Sequence, residues 1–481
     1  MIIQDKLFIG GEWVKPTGSN SIEVISPITE ELFGRVPDST PSDIDRAIAA
    51  ARQAFDEGPW PKMSVSERGE SLIRLANALG PQLDRAVKLQ IDEMGGTDNF
   101  LRICTTGVVA NIAATVEMAK TLPTREIRNG SYTKTVVLRE PIGVVAAIIP
   151  WNSPFLFVMT KLLPALLTGC PIIIKPAQET PLSAYVIAEA VERAGLPKGM
   201  VSIIAGGREV GEYLISHRAI DKVTFTGSTV AGRRIASICG DQIKPVTLEL
   251  GGKSAAIVLE DADLDRYLPN LVGAATLNNG QACIATTRIL APASRYKEVV
   301  DRLVESVGSM KIGNPHDLDT AFGPLVAKRQ RDRVESYIKA GLDEGAKLAL
   351  GGGRPAIEKG WYIEPTIFTE VDNSMRIAQE EIFGPLVAVI RYDTPEQAIS
   401  IANDSVYGLS GGVYTADVAH GMAIAAQIRT GTFSINDGPV GNGGPVGGYK
   451  QSGIGREFGP EGLASHYQLK SVSFPPGVDP G

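Results

Sequence analysis

Short apolar runs alternate through the middle of the chain with longer segments in which apolar residues recur every three or four positions. The short runs predict buried strands, and the longer segments predict amphipathic helices. Between residues 143 and 250 the predicted strands are 144–149, 172–175, 201–204, 222–226 and 245–250, and the predicted helices are 155–168, 181–194, 210–216 and 229–238. This alternation predicts a doubly wound, mostly parallel sheet with right-handed crossovers, which binds ligands at the carboxyl ends of its strands.

A second alternating region, from about residue 252 to residue 438, predicts a second α/β domain. Its predicted strands are 257–259, 287–291, 386–390, 412–414 and 432–435. The N-terminal part opens with a predicted hairpin over 7–14, and we expect Ser42-Asp43 and Ser66-Glu67 to start the two helices that follow it. One more strand is predicted in the tail, over 469–474. The pattern therefore predicts an α/β fold in more than one domain.

Composition and charge narrow the class of protein. Of the 481 residues, 43% are hydrophobic and 21% are charged, as in multidomain globular proteins. Lys and Arg total 47 against 54 for Asp and Glu, and the net charge of −7 argues against a nucleic-acid partner. Four scattered cysteines without a C-x-x-C pair argue against disulfides or zinc, and the N-terminus lacks a signal-peptide run. We therefore expect a cytoplasmic protein.

One uncharged stretch, residues 141–160, has the length of a membrane span. Residues 150–154, with the sequence PWNSP, interrupt it in the middle. A spanning helix would leave backbone groups unpaired there, so the stretch predicts a strand and a helix that meet at a turn. No membrane partner is expected.

Cys283 follows a polar approach, Asn279-Gly280-Gln281-Ala282. A free cysteine is usually a small buried apolar residue, and we interpret Cys104, Cys170 and Cys239 in that way. At Cys283 the approach also allows backbone N–H groups to face an oxyanion, and a lowered thiol pKa would make the residue a nucleophile. Both interpretations stay open on these residues alone.

Two polar side chains lie at the ends of predicted strands. Glu249 is either an ion-pair partner of Lys253 or a general base whose pKa an apolar setting raises. Asn152 either satisfies its own turn or donates its amide to a developing oxyanion. The carboxyl ends of parallel strands meet at one edge, which favours the functional interpretation of Asn152.

Two further strand ends offer contacts for a nucleotide. Gly227 and Ser228 join a predicted strand to a helix without the G-x-G-x-x-G fingerprint. They are either a plain junction or a helix N-terminus that faces a pyrophosphate. Lys175 is either solvated or able to reach a ribose.

Six short motifs occur together, in one order, over most of the chain. They are Pro150-Trp151-Asn152, Lys175-Pro176, Phe225-Thr226-Gly227-Ser228-Thr229, Leu248-Glu249-Leu250-Gly251-Gly252-Lys253, Gly280-Gln281-Ala282-Cys283 and Glu380-Glu381-Ile382-Phe383-Gly384-Pro385. In kind and order they resemble the motifs of the aldehyde dehydrogenase superfamily. Asn436 and residues 447–453 extend the resemblance almost to the C-terminus.

By that resemblance Cys283 matches the nucleophile, Glu249 the general base and Asn152 the oxyanion-hole amide. The resemblance also implies a nicotinamide dinucleotide and no metal. The residues expected to contact the dinucleotide are Trp151, Lys175, Gln178, Gly227, Ser228, Leu250, Glu381 and Phe383. The implied reaction is thiolate attack on an aldehyde, hydride transfer to the nicotinamide, and hydrolysis of the thioester by water that Glu249 activates.

The resemblance further implies three structural parts. Residues 1–122 and 142–250 correspond to the cofactor domain, 251–452 to the catalytic domain, and 123–141 with 453–481 to a small bridging β element. We expect a homodimer or homotetramer in which the tail strand pairs across subunits.

One departure concerns the cofactor. Many family members carry a ribose-binding Glu three residues after the strand-end Lys, where this chain has the neutral Gln178 followed by Glu179. A carboxylate would repel the 2′-phosphate of NADP, whereas a neutral amide would not. NAD is the first choice and NADP stays open.

Three rival functions stay open as well. A CoA-acylating enzyme would resolve the thioester with a thiol, which makes a base such as Glu249 dispensable. A cysteine hydrolase needs a histidine partner, and His217, His316, His420 and His466 all lie outside the motifs. A binding protein without turnover would not need the three matched catalytic residues.

The substrate is the least specified part of the function. By position after Asn152, the side chains of Ser153, Phe157 and Thr160 are expected on the substrate path, and Ile284 flanks the nucleophile. Neither Arg nor Lys is evidently placed there to hold an acidic substrate. The hypothesis is an apolar aldehyde.

Overall fold

The structure is a computed structural model that describes residues 1–438 and 443–480. Residues 439–442 and 481, which the predicted catalytic domain and bridging element include, lie outside the described residues. The strands are β1 (Ile2–Ile3), β2 (Leu7–Ile9), β3 (Glu12–Val14), β4 (Ser21–Ile25), β5 (Leu32–Pro37), β6 (Arg125–Asn129), β7 (Lys134–Pro141), β8 (Val145–Ile148), β9 (Ile172–Lys175), β10 (Val201–Ile203), β11 (Lys222–Thr226), β12 (Val246–Glu249), β13 (Ala255–Val258), β14 (Arg288–Pro292), β15 (Lys347–Leu350), β16 (Thr366–Thr369), β17 (Leu386–Tyr392), β18 (Tyr407–Gly408), β19 (Gly411–Tyr414), β20 (Ser434–Ile435), β21 (Tyr449–Lys450), β22 (Gly453–Ile454) and β23 (Tyr467–Ser473).

The helices are α1 (Pro41–Asp56), α2 (Val65–Leu79), α3 (Leu83–Met94), α4 (Asp98–Ala110), α5 (Ile112–Lys120), α6 (Pro154–Thr168), α7 (Leu182–Ala194), α8 (Arg208–Ser216), α9 (Thr229–Asp241), α10 (Leu264–Thr276), α11 (Tyr296–Gly308), α12 (Lys328–Asp343), α13 (Arg376–Gln379), α14 (Pro395–Asn403), α15 (Val418–Ala425) and α16 (Gly459–Ala464).

An eight-stranded sheet forms the first α/β unit, with the order β22-β12-β11-β8-β9-β10-β2-β3. Its five central strands are parallel, and the outer strands β22, β2 and β3 pair antiparallel. One apolar cluster, which includes Phe155 and Leu162 of α6, covers one face, and another, which includes Leu214 and Ile235, covers the other. Burial on both faces explains the continuous apolar strand sequences. The predicted doubly wound sheet is confirmed.

A seven-stranded sheet forms the second α/β unit, with the order β15-β16-β17-β14-β13-β19-β20. All of its pairs are parallel except the edge pair of β15 and β16. The α/β class of this second region is therefore confirmed as well.

Three antiparallel strands in the order β23-β7-β6 form a separate small sheet. Strand β23 pairs with β7 along its whole length, from Tyr467 opposite Pro141 to Ser473 opposite Thr135. The predicted tail strand exists, and it lies at an edge of this sheet. The predicted domain boundaries stay predictions.

The starts of the first two helices differ from the sequence expectation. Thr40, not Ser42, caps α1, since its hydroxyl accepts the N–H of Asp43 while the Asp43 carboxylate accepts the N–H of Thr40. Ser64, not Ser66, caps α2 in the same way, with Glu67 as its reciprocal partner. The expected acidic residues belong to these capping boxes, as the third helical residues.

The uncharged stretch 141–160 contains the end of β7, strand β8 and the start of α6. Pro154 occupies the first turn of α6, where its missing N–H costs nothing, and Gly169 ends the helix in the left-handed region with φ +97°. Another stretch, 98–120, is long and apolar enough to cross a membrane by length and composition alone. In the structure it comprises α4 and α5, which contact α2, α3 and α6.

Candidate active site

A cavity of about 570 Å³ opens where β8, β11 and β12 end. Nine of the residues that the sequence assigned to the site line it, namely Trp151, Asn152, Gly227, Ser228, Glu249, Leu250, Cys283, Glu381 and Phe383. They come from both α/β units. The structure therefore brings together residues that are more than two hundred positions apart in the sequence.

Three successive residues in the left-handed region shape the loop before Cys283. Their φ angles are +54° at Asn278, +57° at Asn279 and +71° at Gly280. The Asn279 amide donates to the carbonyls of Gly95 and Pro324, both at 3.2 Å, and its oxygen accepts the N–H of Gly323 at 3.0 Å. The buried amide holds this conformation, which a non-glycine residue adopts only at an energetic cost.

Glycine is required where the Cys283 loop meets its neighbours. A Cβ at Gly280 would lie 2.1 Å from the carbonyl oxygen of Gly384, and one at Gly252 would lie 2.4 Å from that of Cys283. These close approaches fix the loop against the segment after Glu249 and against the segment around Phe383.

The Cys283 thiol is half-buried between two carboxylates. Burial, with the Glu381 and Glu249 carboxylates, raises its pKa to about 12, while the backbone N–H groups of Cys283 and Ile284 act in the opposite direction. These surroundings shift the thiol pKa upward, opposite to the direction that the sequence hypothesis requires. The thiol needs a base, or a change in its surroundings, to become a nucleophile at neutral pH.

Asn152 is 5% exposed and faces the same loop. Its Nδ2 donates to the backbone carbonyl of Gln281 at 2.9 Å, and its backbone carbonyl accepts a hydrogen bond from Nδ2 of Asn278 at 2.8 Å. A side-chain amide carries two N–H donors, so one remains for an oxyanion beside Cys283. The local and the functional interpretation of Asn152 are thus compatible.

Glu249 is 5% exposed, and its Oε1 has no hydrogen-bond partner among residues 1–438 and 443–480. Burial and the Glu457 carboxylate raise its pKa well above the usual range, while Lys161 and Arg456 act in the opposite direction. The alternative of an ion pair with Lys253 is wrong, because Nζ of Lys253 also lacks a partner in that described part of the chain. An unpaired carboxylate with a raised pKa suits a general base.

Lys175 and Gln178 lie beside the cavity and not in its lining. Nζ of Lys175 donates to the carbonyls of Gly206 at 2.6 Å and Pro176 at 3.1 Å, and burial lowers its pKa to about 8. The side chain is 6% exposed, so the solvated alternative is wrong. Nε2 of Gln178 lies 3.0 Å from the position of a Cβ on Gly207, next to the same turn.

Glu179, the carboxylate next to the neutral Gln178, has a partner of its own. It forms an ion pair with Arg329, a residue that lines the cavity from the first turn of α12. The ion pair joins the loop after β9 to α12. The Glu179 carboxylate is therefore paired with a guanidinium at the edge of the cavity.

Sequence reasoning missed several lining residues, which are Pro150, Thr226, Thr229, Val230, Arg329, Gln330, Arg333 and Tyr407. Three of them lie on α12, in the run Lys328-Arg329-Gln330-Arg331-Asp332-Arg333. A polar run of this kind usually marks a solvated helix face. The sequence did contain one signal, since four of these six residues are basic, and a high density of basic residues is typical of a site that binds phosphates.

The lining fits a nicotinamide dinucleotide. Helix α9 begins at the cavity with Ser228 as its N-cap, which suits a pyrophosphate. Thr226 lines the cavity, and its buried hydroxyl has no hydrogen-bond partner among the described residues. The Glu381 carboxylate, fixed by the N–H of Gly252 at 3.1 Å, suits ribose hydroxyls. Across residues 1–438 and 443–480, no group of three His, Cys, Asp or Glu side chains is placed to hold a metal ion.

Comparisons with known proteins agree on one family. A family model described as the aldehyde dehydrogenase family matches residues 13–472. Geranial dehydrogenase from Castellaniella defragrans is 45% identical over 470 residues, which cover 97% of this chain and 98% of the relative. A Mycobacterium tuberculosis aldehyde dehydrogenase complexed with NAD+ superposes with a TM-score of 0.98 at 48% identity, covering 99% of each chain. The NAD+ complex of a Bacillus cereus aldehyde dehydrogenase gives a TM-score of 0.95 at 39% identity, covering 98% of this chain and 96% of the other.

Proposed function

Because this chain belongs to the aldehyde dehydrogenase family, which oxidises aldehydes to acids with NAD, we propose that it does so through a covalent thioester on Cys283. The observation that carries the proposal is the convergence of Cys283, Glu249 and Asn152 on one cavity of about 570 Å³. Cysteine supplies the nucleophile, the amide supports the oxyanion, and the carboxylate moves protons.

The first step is attack by the Cys283 sulfur on the aldehyde carbon. The developing oxyanion accepts hydrogen bonds from Nδ2 of Asn152 and from the backbone N–H of Cys283. Since burial holds the thiol protonated at neutral pH, the Cys283 sulfur loses its proton to solvent water as it attacks the aldehyde carbon.

A bound nicotinamide dinucleotide would supply the acceptor for the hydride that leaves the oxidised carbon. Ser228 and the first turn of α9 would hold its pyrophosphate, and Glu381 would hold ribose hydroxyls. Trp151 and Phe383, which meet edge to face with centroids 5.1 Å apart, form an apolar wall that excludes water from the ring. Lys175 and Gln178 would contact a ribose, and Leu250 would pack against the cofactor.

Hydrolysis of the thioester completes the turnover. Oε1 of Glu249 has no partner among the described residues, so it can accept a hydrogen bond from a water. The carboxylate removes a proton from that water as its oxygen attacks the thioester carbon, and the Cys283 thiolate leaves. A base in this position supports hydrolysis over transfer to CoA.

The substrate is an apolar aldehyde. Ser153 and Thr160 are buried and bond to nearby carbonyls, while Phe157 and Ile284 keep exposed surface. Of the four residues expected on the substrate path, the two with accessible surface are therefore apolar, which supports an apolar substrate. The name of the relative from Castellaniella defragrans, geranial dehydrogenase, supports the same class.

All four cysteines are free, which agrees with the predicted cytoplasmic location. The chain forms a homodimer or homotetramer through the edge strand β23. No nucleic acid or membrane takes part in the proposed reaction.

The test follows reduced nicotinamide by its near-ultraviolet absorbance, with purified protein, no CoA, and NAD or NADP in turn. The aldehydes are geranial, benzaldehyde and succinic semialdehyde, and Cys283→Ala is the control. We expect NADH and free acid from the two apolar aldehydes, and none from the variant. A strong preference for the semialdehyde would contradict the substrate class.

The same assay separates the rivals. Turnover only with CoA, with acyl-CoA as the product, would indicate the acylating enzyme. Ester hydrolysis without NADH from any aldehyde would indicate a hydrolase, although none of the four histidines, all of which the structure describes, lines the cavity. If NADPH formed as fast as NADH, neither Gln178 nor Glu179, which is paired with Arg329, would discriminate against the 2′-phosphate of NADP.

A further inference from the structure

The segment 381–384 carries two of the proposed cofactor contacts, and its backbone is strained. Phe383 has φ +64°, in the left-handed region that a bulky side chain rarely adopts. Such a conformation persists only where the surroundings hold it. The groups that stabilise Phe383 in the left-handed conformation therefore determine the positions of the Glu381 carboxylate and the Phe383 ring.

Those groups belong to α12. Nε2 of Gln330 donates to the carbonyls of Phe383 at 2.7 Å and Ile382 at 3.1 Å. The Arg333 guanidinium donates to the carbonyl of Glu381 and, through Nε, to that of Ile382 at 3.2 Å. Two side chains one helical turn apart thus bind three successive carbonyls. Gln330 is 9% exposed, so water does not readily replace its hydrogen bonds.

Arg333 is itself held in place. Its guanidinium stacks over the Tyr337 ring at 5.1 Å and contacts the Tyr337 hydroxyl at 3.2 Å. That hydroxyl donates to Glu380 at 2.6 Å, and Arg376 binds the same carboxylate while it stacks over Tyr337 at 5.3 Å. The contacts with Tyr337 orient the guanidinium of Arg333 toward the backbone of segment 381–384.

The segment also touches the nucleophile loop. A Cβ at Gly384 would lie 2.3 Å from Cγ2 of Val334 on α12, and a Cβ at Gly280 would lie 2.1 Å from the carbonyl oxygen of Gly384. The segment is therefore packed between α12 on one side and the loop that carries Cys283 on the other. A shift of the segment away from α12 changes the distance between the nicotinamide contacts and Cys283.

We propose that Gln330 and Arg333 are positioning residues that hold segment 381–384 in its strained form and thereby set the nicotinamide against the carbon bound to Cys283. This inference rests on the proposed function and deepens it. Both side chains act through backbone carbonyls, so their effect falls on the geometry of hydride transfer. Displacements of about 1 Å lower rates by on the order of 100-fold in enzymes that depend on such alignment.

The experiment compares Gln330→Met, Arg333→Met and Arg333→Lys with the wild type and with Lys339→Met. Methionine keeps the length of the side chain and the helix propensity while it removes the donors. Lys339 is the matched control, because it lies on α12, is exposed and pairs only with Asp343 in the described part of the chain. Four quantities are measured for each protein: kcat, KM for NAD, the deuterium isotope effect with a C1-deuterated aldehyde, and the rate of Cys283 alkylation by iodoacetamide.

Gln330→Met and Arg333→Met are expected to lower kcat by about 10- to 100-fold and to raise the isotope effect, because misalignment slows hydride transfer first. KM for NAD rises in both variants. Arg333→Lys recovers part of the loss, since an ammonium donates to one carbonyl but cannot bridge two. The alkylation rate stays within about twofold, because the thiol is not bonded to α12.

The proposal would be overturned if Gln330→Met and Arg333→Met matched Lys339→Met in kcat, isotope effect and KM while all three melted as folded proteins. A general loss of structure would instead change the alkylation rate and the melting temperature together. If the wild type produced no NADH from any aldehyde, the proposed function would fail on its own. The positioning role would then be decided by NAD affinity, measured through quenching of tryptophan fluorescence, with unchanged affinity counting against it.

Discussion

At the scale of single residues, burial sets the protonation state of the groups that line the cleft. It raises the pKa of the Cys283 thiol to about 12 and that of the Glu381 carboxyl to about 7. Glu249 shifts in the same direction, with the Glu457 carboxylate as a second cause. Burial therefore favours the uncharged forms of these groups, which lowers the cost of placing an apolar aldehyde beside them.

The thiol pKa predicts how the free protein reacts with iodoacetamide. Since only the thiolate reacts, the rate at Cys283 should rise about tenfold per pH unit from pH 7 to pH 9 and should show no plateau below the pKa of the thiol. The measurement is incorporation of the label against time by intact mass spectrometry, with Cys283→Ala as the control for labelling at other cysteines. A plateau reached below pH 8 would show that the thiol is already ionised.

Replacing Glu249 by Gln keeps the shape of the side chain and removes the base. We expect one rapid equivalent of NADH per active site followed by a steady rate lowered by about 100- to 10,000-fold, because the thioester forms and then persists. Rapid mixing would measure the burst, and intact mass spectrometry would detect the acylated Cys283. A steady rate close to that of the wild type would remove Glu249 from the hydrolysis step.

The positions of the sequence motifs predicted most of the residues that line the cavity, because the carboxyl ends of parallel strands meet at one edge of a sheet. Nine of eleven assigned residues line the cavity. The sequence did not predict which side chains form ion pairs or hydrogen bonds with each other. Glu249 and Lys253 are four positions apart and of opposite charge, yet they do not pair, because the fold buries each among other groups. Gln330 and Arg333 were missed because their partners are backbone carbonyls, which any sequence supplies.

At the scale of elements, α3 caps α7. Pro181 supplies no side-chain cap for α7. Glu93, the penultimate residue of α3 and 0% exposed, accepts the N–H groups of Leu182 at 2.8 Å and Ser183 at 3.1 Å instead. A tertiary contact thus does what a local N-cap does elsewhere, and no local sequence pattern marks it.

Glu93→Ala should lower the free energy of unfolding by about 2 kcal/mol, because two buried N–H groups lose their acceptor. Glu93→Gln keeps one acceptor oxygen and serves as the control. Burial raises the pKa of Glu93 to about 7, so the folded protein keeps a proton that the unfolded chain has lost above its ordinary pKa of 4.5. Wild-type stability therefore falls as pH rises from 4.5 toward 7, and this component is absent from Glu93→Gln.

Thermal melts at several pH values measure both effects. Equal melting temperatures for Glu93→Ala and the wild type would show that water replaces the carboxylate at the start of α7. A wild type and a Glu93→Gln variant with parallel pH dependence would show that Glu93 is ionised in the folded protein.

Element types and order followed from the apolar pattern, because two-sided burial forces continuous apolar strands. Boundaries were less well predicted. Thr40 and Ser64 act as caps because each lies three residues before a reciprocal carboxylate, whereas Ser42 and Ser66 are already helical. The choice between nearby candidate caps depends on where the chain leaves the preceding turn, which local sequence does not specify.

At the scale of the whole molecule, the small sheet β23-β7-β6 exposes an edge. Strand β23 pairs only with β7 in the described part of the chain, and Leu469 on it is 64% exposed. An exposed edge strand with an apolar residue is a ready surface for pairing with another chain. This arrangement supports the expected homo-oligomer.

Leu469→Glu should convert the oligomer to a smaller species, because it places a charge in the proposed subunit contact. Size-exclusion chromatography with light scattering measures the change. Glu117→Gln, on the exposed end of α5, is the control for a change of charge elsewhere and should leave the mass unchanged. A wild type that already runs as a monomer would contradict the expected assembly.

The locked loop before Cys283 also bears on the chemical ageing of the protein. In flexible peptides an Asn-Gly pair deamidates readily, because the glycine nitrogen attacks the asparagine side chain to form a succinimide. Here the N–H of Gly280 donates to Thr276 at 3.1 Å and the Asn279 amide is bonded at both ends, so neither group is free to react. Aspartate at position 279, found by peptide mapping after storage, would therefore record how often this loop opens. The same modification would remove the amide donor that binds Gly95 and Pro324, so the chemical ageing of the protein is linked to the hydrogen bonds that shape its nucleophile loop.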